Sequence, residues 1–245
     1  MGTYLNGNDN TPGWNKENDK IVVLPTLAER DKARRDQEKA QAQANAEPMI
    51  NMPPVTLTLI LVILGIHLGM NYVLPDDIAG WIIMNLGFVP EAFNTTPLNP
   101  PVLASTITHM FLHGSWMHVV MNIFMLAAFG SGIERWLGSR RLLILFFVSG
   151  LFGAAAHYIL NTHSLFPMIG ASGGLSGLFA AAIVMLNRGQ REMGGRIGIL
   201  PFALLWIGLS IAFGMLGGPD GSMIAWAAHV GGFLGGFAVL KAMKI

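Results

Sequence analysis

The most visible pattern in the chain is a change from polar to apolar residues near position 50. From Pro53 onward, apolar runs of about 20 residues recur, which is the length that a helix needs to cross a bilayer. Six runs are predicted as membrane-spanning helices: Val55 to Leu74, Trp116 to Gly130, Leu142 to Leu160, Ala171 to Leu186, Ile197 to Leu216 and Met223 to Leu240. The second and fourth runs are short and are expected to extend into flanking segments. The pattern predicts an all-α membrane protein with a six-helix domain over residues 51–245.

Residues 1–50 contain no comparable apolar run. The stretch from Leu27 to Glu47 is rich in Ala, Gln, Lys, Arg and Glu, and a helix there would have too few apolar residues to bury one face. We expect residues 1–50 to form a disordered tail, with a docking segment for a partner as the alternative. Nothing in the tail resembles a cleavable signal peptide, because it lacks an apolar core.

The segment from Pro75 to Gly114, between the first two predicted spans, is unusually apolar for a loop. It contains Trp81 and four prolines between Pro90 and Pro101, and it has no lysine or arginine. Such a segment is expected to lie partly in the lipid headgroups rather than free in water. The predicted fold is therefore a six-helix bundle with a long, partly embedded loop between helices 1 and 2.

Composition agrees with a membrane protein and narrows the chemistry. Hydrophobic residues make up 52% of the chain, charged residues make up 12%, and the mean hydropathy is +0.51. The absence of cysteine excludes disulfides, thiolate metal sites and a cysteine nucleophile. We expect the lipid bilayer, and no nucleic acid, among the partners.

The distribution of positive charge predicts the topology. Of the fifteen lysines and arginines, seven lie in residues 1–50, three between the second and third spans, three between the fourth and fifth, and two after the sixth. Basic residues that flank membrane spans stay on the cytoplasmic side. With six spans all fifteen fall on one side, which places both termini in the cytoplasm, whereas five or seven spans would divide them.

Polar side chains within the predicted spans are the candidates for function, because such groups are costly in hydrocarbon unless they are paired or face water. His118 and Asn122 lie in the second span, Ser172 and Ser176 open the fourth, and His229 lies in the sixth. All three spans enter the membrane from the outer side, and His229 is about 9 Å along its helix. The three groups are therefore expected to meet in the outer leaflet.

These residue types indicate nucleophilic catalysis. A serine hydroxyl attacks when a base takes its proton, and a neutral imidazole can do so near pH 7. No Asp, Glu or Lys lies in the middle of a predicted span, and Asp220 is nine residues before His229, in a loop. What remains is a dyad of Ser172 and His229. His118 and Asn122 lie on one helix face and are expected to bind an oxyanion, together with a backbone N–H at the helix N-terminus near Ser172.

Small residues on the fourth and sixth predicted spans would allow Ser172 and His229 to come within hydrogen-bond distance. Residues of this kind allow membrane helices to approach closely. The relevant positions are Gly173, Gly177, Ala180 and Ala181 on the fourth span, and Gly231, Gly232, Gly235 and Gly236 on the sixth. Close packing of these two spans is predicted.

Other interpretations stay open on the pattern alone. A helix start rich in glycine and serine is more often a packing device than a site. His109 and His113 have the spacing of zinc ligands, but Met110 stands where that motif has glutamate, so we expect no metal and hydrogen bonds to backbone instead. A transporter would place charges at mid-bilayer, and a protein that only binds would not need serine and histidine at matching depth.

The sequence also resembles a known family. Three segments are similar to the signature motifs of the rhomboid intramembrane serine proteases: Gly170-Ala171-Ser172-Gly173, His118-Val119-Val120-Met121-Asn122 and Ala228-His229-Val230-Gly231-Gly232. The segments His109 to His113 and Gly132 to Ser139 are similar to the patterns that flank the family's second span. The resemblance covers about Val55 to Leu240.

The resemblance implies an endopeptidase that cuts transmembrane segments of other proteins near the outer face, through an acyl-enzyme and without metal or cofactor. It implies Ser172, rather than Ser176, as the nucleophile and His229 as the general base. The other implied site residues are His118 and Asn122 in the oxyanion hole, with Gly170, Gly173 and His113 in support. A bacterial inner membrane is the expected location, with the active site facing the outer side. A rhomboid-like protein that binds transmembrane clients without cutting them is the alternative.

Two features depart from the family pattern. Many members have Trp-Arg in the loop before the second span, where this chain has no arginine. Many have an aromatic ring four residues after the nucleophile that stacks on the histidine, where this chain has Ser176.

The segment Gly217 to Ser222 is predicted as a mobile cap over the site, and the fifth span as a gate for substrate.

Overall fold

The computed structural model describes residues 13–15, 20–22, 26–44, 52–192, 198–216 and 225–245. The chain forms two compact units, Met1–Asn51 and Met52–Ile245. The predicted cap, Gly217 to Ser222, and Asp220 within it lie outside the described residues.

The described part of the first unit, residues 13–15, 20–22 and 26–44, contains two paired strands and one helix. Strand β1 (Gly13–Asn15) pairs antiparallel with β2 (Lys20–Val22), and helix α1 spans Leu27–Ala44. Thr26 and Glu29 form a capping box at the start of α1, since the Thr26 N–H donates to Glu29 Oε2 over 2.8 Å and the Glu29 N–H donates to Thr26 Oγ1 over 3.3 Å. The side chains at positions 27–39 are exposed, in keeping with a helix that has no apolar face.

The described part of the second unit is helical apart from its loops and one isolated bridge. Its helices are α2 (Pro54–Tyr72), α3 (Asp76–Leu86), α4 (Pro90–Thr95), α5 (Pro100–Thr108), α6 (Trp116–Met125), α7 (Ser131–Leu137), α8 (Ser139–Leu160), α9 (Ser172–Glu192), α10 (Ile199–Leu216) and α11 (Trp226–Ala242). A 3-10 turn (His109–Phe111) precedes α6, and a π-helical turn (Leu126–Gly130) joins α6 to α7.

Four helices in the described residues are long and apolar enough to cross a membrane: Pro54–Tyr72, Trp116–Leu137, Ser139–Leu160 and Ile199–Leu216. The second of these is α6 continued through the π turn into α7, so the predicted extension of that span is confirmed. The fourth predicted span also extends, since α9 continues to Glu192. This helix begins with serine and glycine and ends with charged residues. The chain is an integral membrane protein, and the count of six spans stays a prediction.

Helices α8, α9 and α11 form the most tightly packed part of the bundle. A β-carbon built on Gly236 would lie 2.7 Å from Gly177 Cα, and one on Gly153 would lie 2.8 Å from the Ala228 carbonyl oxygen. Side chains larger than hydrogen would push these helices apart. The predicted close packing of the fourth span against the sixth, α9 against α11, is confirmed.

The buried carboxylate of Glu134 on α7 anchors the start of α2. Its Oε1 accepts the Val55 N–H over 3.0 Å and the Ser139 hydroxyl over 2.8 Å. Its Oε2 accepts both the N–H and the hydroxyl of Thr56 over 2.7 Å. The first N–H groups of a helix have no partner within it, so this carboxylate both satisfies them and matches the positive end of the helix dipole.

The segment between α2 and α6 is folded as helices α3, α4 and α5. It is tied to the α8–α9 loop by an isolated antiparallel bridge, in which Phe88 and Met168 exchange N–H to carbonyl hydrogen bonds of 2.9 and 2.8 Å. Trp81 on α3 is exposed, as expected for a side chain that faces lipid headgroups. The α8–α9 loop leads directly to Ser172, so the segment that contains α3, α4 and α5 stabilises the loop that precedes this serine.

Candidate active site

Ser172 is the first residue of α9, and the turn before it depends on glycine. Gly170 has φ +119°, a conformation that side chains with a β-carbon rarely adopt. Its N–H donates to the His109 carbonyl over 2.8 Å, which ties the turn to the 3-10 segment before α6. Ser172 is half-buried, with its hydroxyl at the N-terminus of a 21-residue helix. That position favours negative charge developing nearby.

His229 lies one turn into α11 and faces this serine. Its Nε2 is 2.8 Å from Ser172 Oγ, although 57 residues separate the two in sequence. Gly232 on the same helix makes the approach possible, because a β-carbon built there would lie 2.8 Å from the carbonyl carbon of Gly173 and 3.0 Å from its Cα. The structure thus brings together the predicted nucleophile and base at hydrogen-bond distance.

His118 lies beside the same turn. Ser115 caps α6 by accepting the His118 N–H over 3.1 Å, which fixes the first turn of the helix. A β-carbon on Gly170 would lie 2.6 Å from His118 Nε2 and 3.8 Å from Ser172 Oγ. His118 Nε2 and the serine hydroxyl therefore flank the same glycine.

Asn122 is buried one turn further along α6. Its Nδ2 donates to the carbonyl of His118 over 2.9 Å, which uses one of the two N–H groups of the amide. The side chain shares the face of α6 that carries His118, as the spacing predicted.

The remaining histidines near the site behave mainly as structural groups. His109 is buried, and its Nδ1 lies 2.8 Å from the Ser105 carbonyl oxygen, so the expected backbone hydrogen bond is confirmed. His113 is buried with its ring 4.9 Å from that of His118, and its Nδ1 is 3.4 Å from the Phe111 carbonyl oxygen, at the long limit for a hydrogen bond. Burial lowers the pKa of His113, which precedes the membrane-spanning helix, to about 3, so its imidazole is neutral. No cluster of three metal-ligating side chains occurs in the described residues.

Ser176 does not approach His229. It is buried, and its hydroxyl donates to the Ser172 carbonyl over 2.7 Å, a bond back to the preceding turn. Its hydrogen-bonding capacity as a donor is used within its own helix. The second serine of the motif is therefore a packing residue in this geometry.

Two features of the site had no clear signal in the sequence. Trp206 on α10 is a tryptophan in an apolar helix, yet its ring lies near that of His229. Between α4 and the α8–α9 loop, Glu91 accepts hydrogen bonds from Asn94 on its own helix over 2.9 Å and from His163 in that loop over 3.0 Å. The Asn94 and His163 contacts lower the pKa of Glu91. Polar pairing of this kind follows no hydrophobic period, so it is not visible in the pattern.

The comparisons with known proteins identify the family to which the sequence is similar. The sequence matches the family model of the Rhomboid domain over residues 101–243. It is 28% identical over 193 residues to the Rhomboid protease GlpG of Salmonella typhi, covering 76% of this chain and 62% of that protein. It is 28% identical over 139 residues to the Rhomboid protease GluP of Bacillus subtilis (strain 168), covering 57% of this chain and 26% of that protein.

A plant relative is similar as well. The sequence is 31% identical over 131 residues to RHOMBOID-like protein 5 of Arabidopsis thaliana, covering 54% of this chain and 41% of that protein. The chain therefore spans less than two thirds of the length of each of these relatives.

Proposed function

The chain belongs to the rhomboid family, and we propose that it is an intramembrane serine endopeptidase that cuts transmembrane segments of other membrane proteins. The observation that carries the proposal is the distance of 2.8 Å between Ser172 Oγ and His229 Nε2. A nucleophile and a base within hydrogen-bond reach are the geometric requirement for an activated serine. The site's position at a helix N-terminus and the protease names of two relatives support the same proposal.

In the proposed reaction, His229 Nε2 takes the proton of Ser172 as Oγ attacks the carbonyl carbon of the scissile peptide bond. The carbonyl oxygen becomes an oxyanion. His118, the second N–H of the Asn122 amide and a backbone N–H at the start of α9 are the proposed donors to it. Collapse breaks the C–N bond, and the protonated His229 gives its proton to the leaving amine.

The product of this step is an acyl-enzyme on Ser172. Water then attacks the ester carbonyl while His229 again acts as base, and the proton returns to Oγ when the acid product leaves. The proposed cycle involves no metal and no cofactor.

We place the site in the outer half of a six-span bundle, with both termini in the cytoplasm of a bacterial cell and the enzyme in the inner membrane. The absence of Lys and Arg from positions 75–114 and 142–187 supports this orientation, because those ranges hold the loops assigned to the outer side. Substrates would then be cut near the outer face of the membrane.

Labelling with a fluorophosphonate, which reacts with activated serines, tests this assignment. We expect labelling of the wild-type chain and of Ser176→Ala, loss of labelling in Ser172→Ala, and labelling at a much lower residual rate in His229→Ala. Ser176→Ala is the matched control, since that serine lies one turn away but bonds to its own helix. Labelling that persists in Ser172→Ala and disappears in Ser176→Ala would overturn the assignment.

A further inference from the structure

The imidazole of His229 has no carboxylate to orient it in the described part of the chain. The one hydrogen-bond partner of its side chain there is Ser172 Oγ, at Nε2. In a serine–histidine–aspartate site, a third group bonds the other ring nitrogen and holds the imidazole in its working orientation. Since the described helices offer no such bond to His229, packing is what they contribute to the orientation of the ring.

In the described residues, the aromatic ring that contacts the imidazole of His229 is that of Trp206. The centroids of the two rings are 6.3 Å apart and their planes are inclined by 36°, within the range over which stacked and tilted rings attract. The indole Nε1 of Trp206 is buried and makes no hydrogen bond in the described structure. Trp206 is therefore held by apolar packing, which includes the cluster of Ala180, Ile183 and Phe233, rather than by a hydrogen bond.

Further aromatic rings hold Trp206 in place. Phe179 on α9 packs on Trp206 with ring centroids 4.6 Å apart and an interplanar angle of 35°. Phe179 also contacts Phe129 in the π-helical turn, at 5.3 Å, and Phe233 on α11, at 6.1 Å. Phe233 is buried and lies one turn after His229 on the same helix. These rings join four parts of the bundle into one packed cluster.

The helix that carries the nucleophile cannot supply this ring itself. Ser176, one turn after Ser172, has no ring, and its hydroxyl is committed to the Ser172 carbonyl. The first aromatic residue of α9 is Phe179, and it reaches His229 only through Trp206.

We propose that Trp206 is the positioning residue for His229, and that it keeps Nε2 directed at Ser172 from the neighbouring helix α10. This inference rests on the proposed function. It makes the orientation of the base depend on α10, whose side chains mostly face outward: of those described, Ser210 alone is buried. Displacement of α10 would then remove the ring and release the imidazole without moving the serine.

The test measures kcat and KM for cleavage of a single-span reporter by the purified full chain in liposomes. Trp206→Ala should lower kcat by about 10-fold to 100-fold, because small misplacements of a catalytic group carry losses of this size, and it should leave KM unchanged. Trp206→Phe should retain most of kcat, since a ring remains. Leu205→Ala is the matched control, because this neighbour on α10 is exposed, and it should behave as wild type.

A double-mutant cycle separates positioning from a general structural effect. If Trp206 acts through His229, adding Trp206→Ala to His229→Ala should cause no further loss in the residual rate of fluorophosphonate labelling. If Trp206→Ala lowers the labelling rate of His229→Ala by the same factor as it lowers the rate of the wild type, the inference is overturned. Wild-type kcat in Trp206→Ala, or an effect on KM alone, would overturn it too.

The same assay separates this inference from the proposed function. If Ser172→Ala is inactive and Trp206→Ala is fully active, the positioning role fails and the dyad stands. If Ser172→Ala cuts the reporter at the wild-type rate, the dyad fails, and the positioning role fails with it.

Discussion

Gly236 on α11 lies directly against Gly177 on α9, so close that a β-carbon on Gly236 would be 2.7 Å from Gly177 Cα and 2.8 Å from its carbonyl oxygen. The obstacle is backbone, which cannot rotate away as a flexible side chain can. This contact holds together the two helices that carry Ser172 and His229.

Gly236→Ala should therefore lower the free energy of unfolding by about 1–3 kcal/mol, the usual cost of overpacking. Gly208→Ala on α10 is the control, because nothing lies within 4 Å of its added β-carbon. It should be neutral or slightly stabilising, since alanine favours a helix over glycine by about 1 kcal/mol. Unfolding monitored by circular dichroism in mixed micelles measures both, and equal stabilities of the two variants would contradict the packing account.

Gly170→Ala should abolish activity while leaving most of the fold intact. The added carbon would lie 2.6 Å from His118 Nε2, and the φ of Gly170 is +119°. Gly138 is the matched control, since its φ is +84° and nothing lies within 4 Å of the added carbon. Gly138→Ala should lose about 1–2 kcal/mol of stability from backbone strain alone and keep its activity per folded molecule. Equal loss of activity in both variants would show that strain, not the contact with His118, is responsible.

The oxyanion donors can be tested one at a time. His118→Ala and Asn122→Ala should each lower kcat by about 10-fold to 10³-fold, because removal of a single oxyanion donor costs up to about 10³-fold. The exposed neighbour Met121 provides the control, and Met121→Ala should keep the wild-type kcat. Unchanged turnover in both His118→Ala and Asn122→Ala would remove these residues from the hole.

Glu134→Ala should destabilise the bundle by about 3 kcal/mol. The substitution leaves the N–H groups of the half-buried Val55 and the buried Thr56 without acceptors at the start of α2. Glu91→Ala serves as the comparison, because this carboxylate also accepts two side-chain hydrogen bonds but lies at the surface, where such contacts contribute little. A smaller loss for Glu134→Ala than for Glu91→Ala would contradict the anchoring role.

Much of this site could be predicted from the sequence because it consists of polar residues in apolar runs. Ser172 and His229 stand out for that reason, and the four glycines of the sixth span indicate where a second helix comes close. The family resemblance selected Ser172 over Ser176, and the match to the Rhomboid domain confirmed that resemblance. The positions of the helices could be predicted from the lengths of the apolar runs. Their observed ends differ from the predicted ends where a helix continues into polar residues: α9 extends to Glu192, beyond the predicted end at Leu186.

The parts that could not be predicted depend on contacts between residues far apart in sequence. Glu134 caps a helix start 78 and 79 residues away, and nothing in the local pattern gives that partner. Trp206 looks like any apolar residue of a membrane helix until α10 is placed beside α11. The pair of Glu91 and His163 joins the short helix α4 to the α8–α9 loop, and hydrophobic periodicity carries no information on such polar pairing.

The most direct test of the account is cleavage of transmembrane segments by the purified chain. A panel of single-span reporters in liposomes is incubated with wild type, Ser172→Ala and His229→Ala, and the cut bonds are located by mass spectrometry. We predict that wild type cuts at least one reporter near the outer end of its transmembrane segment, and that neither variant does. Reporters that bind but are never cut by wild type, or that Ser172→Ala cuts at the wild-type rate, would contradict the proposed dyad.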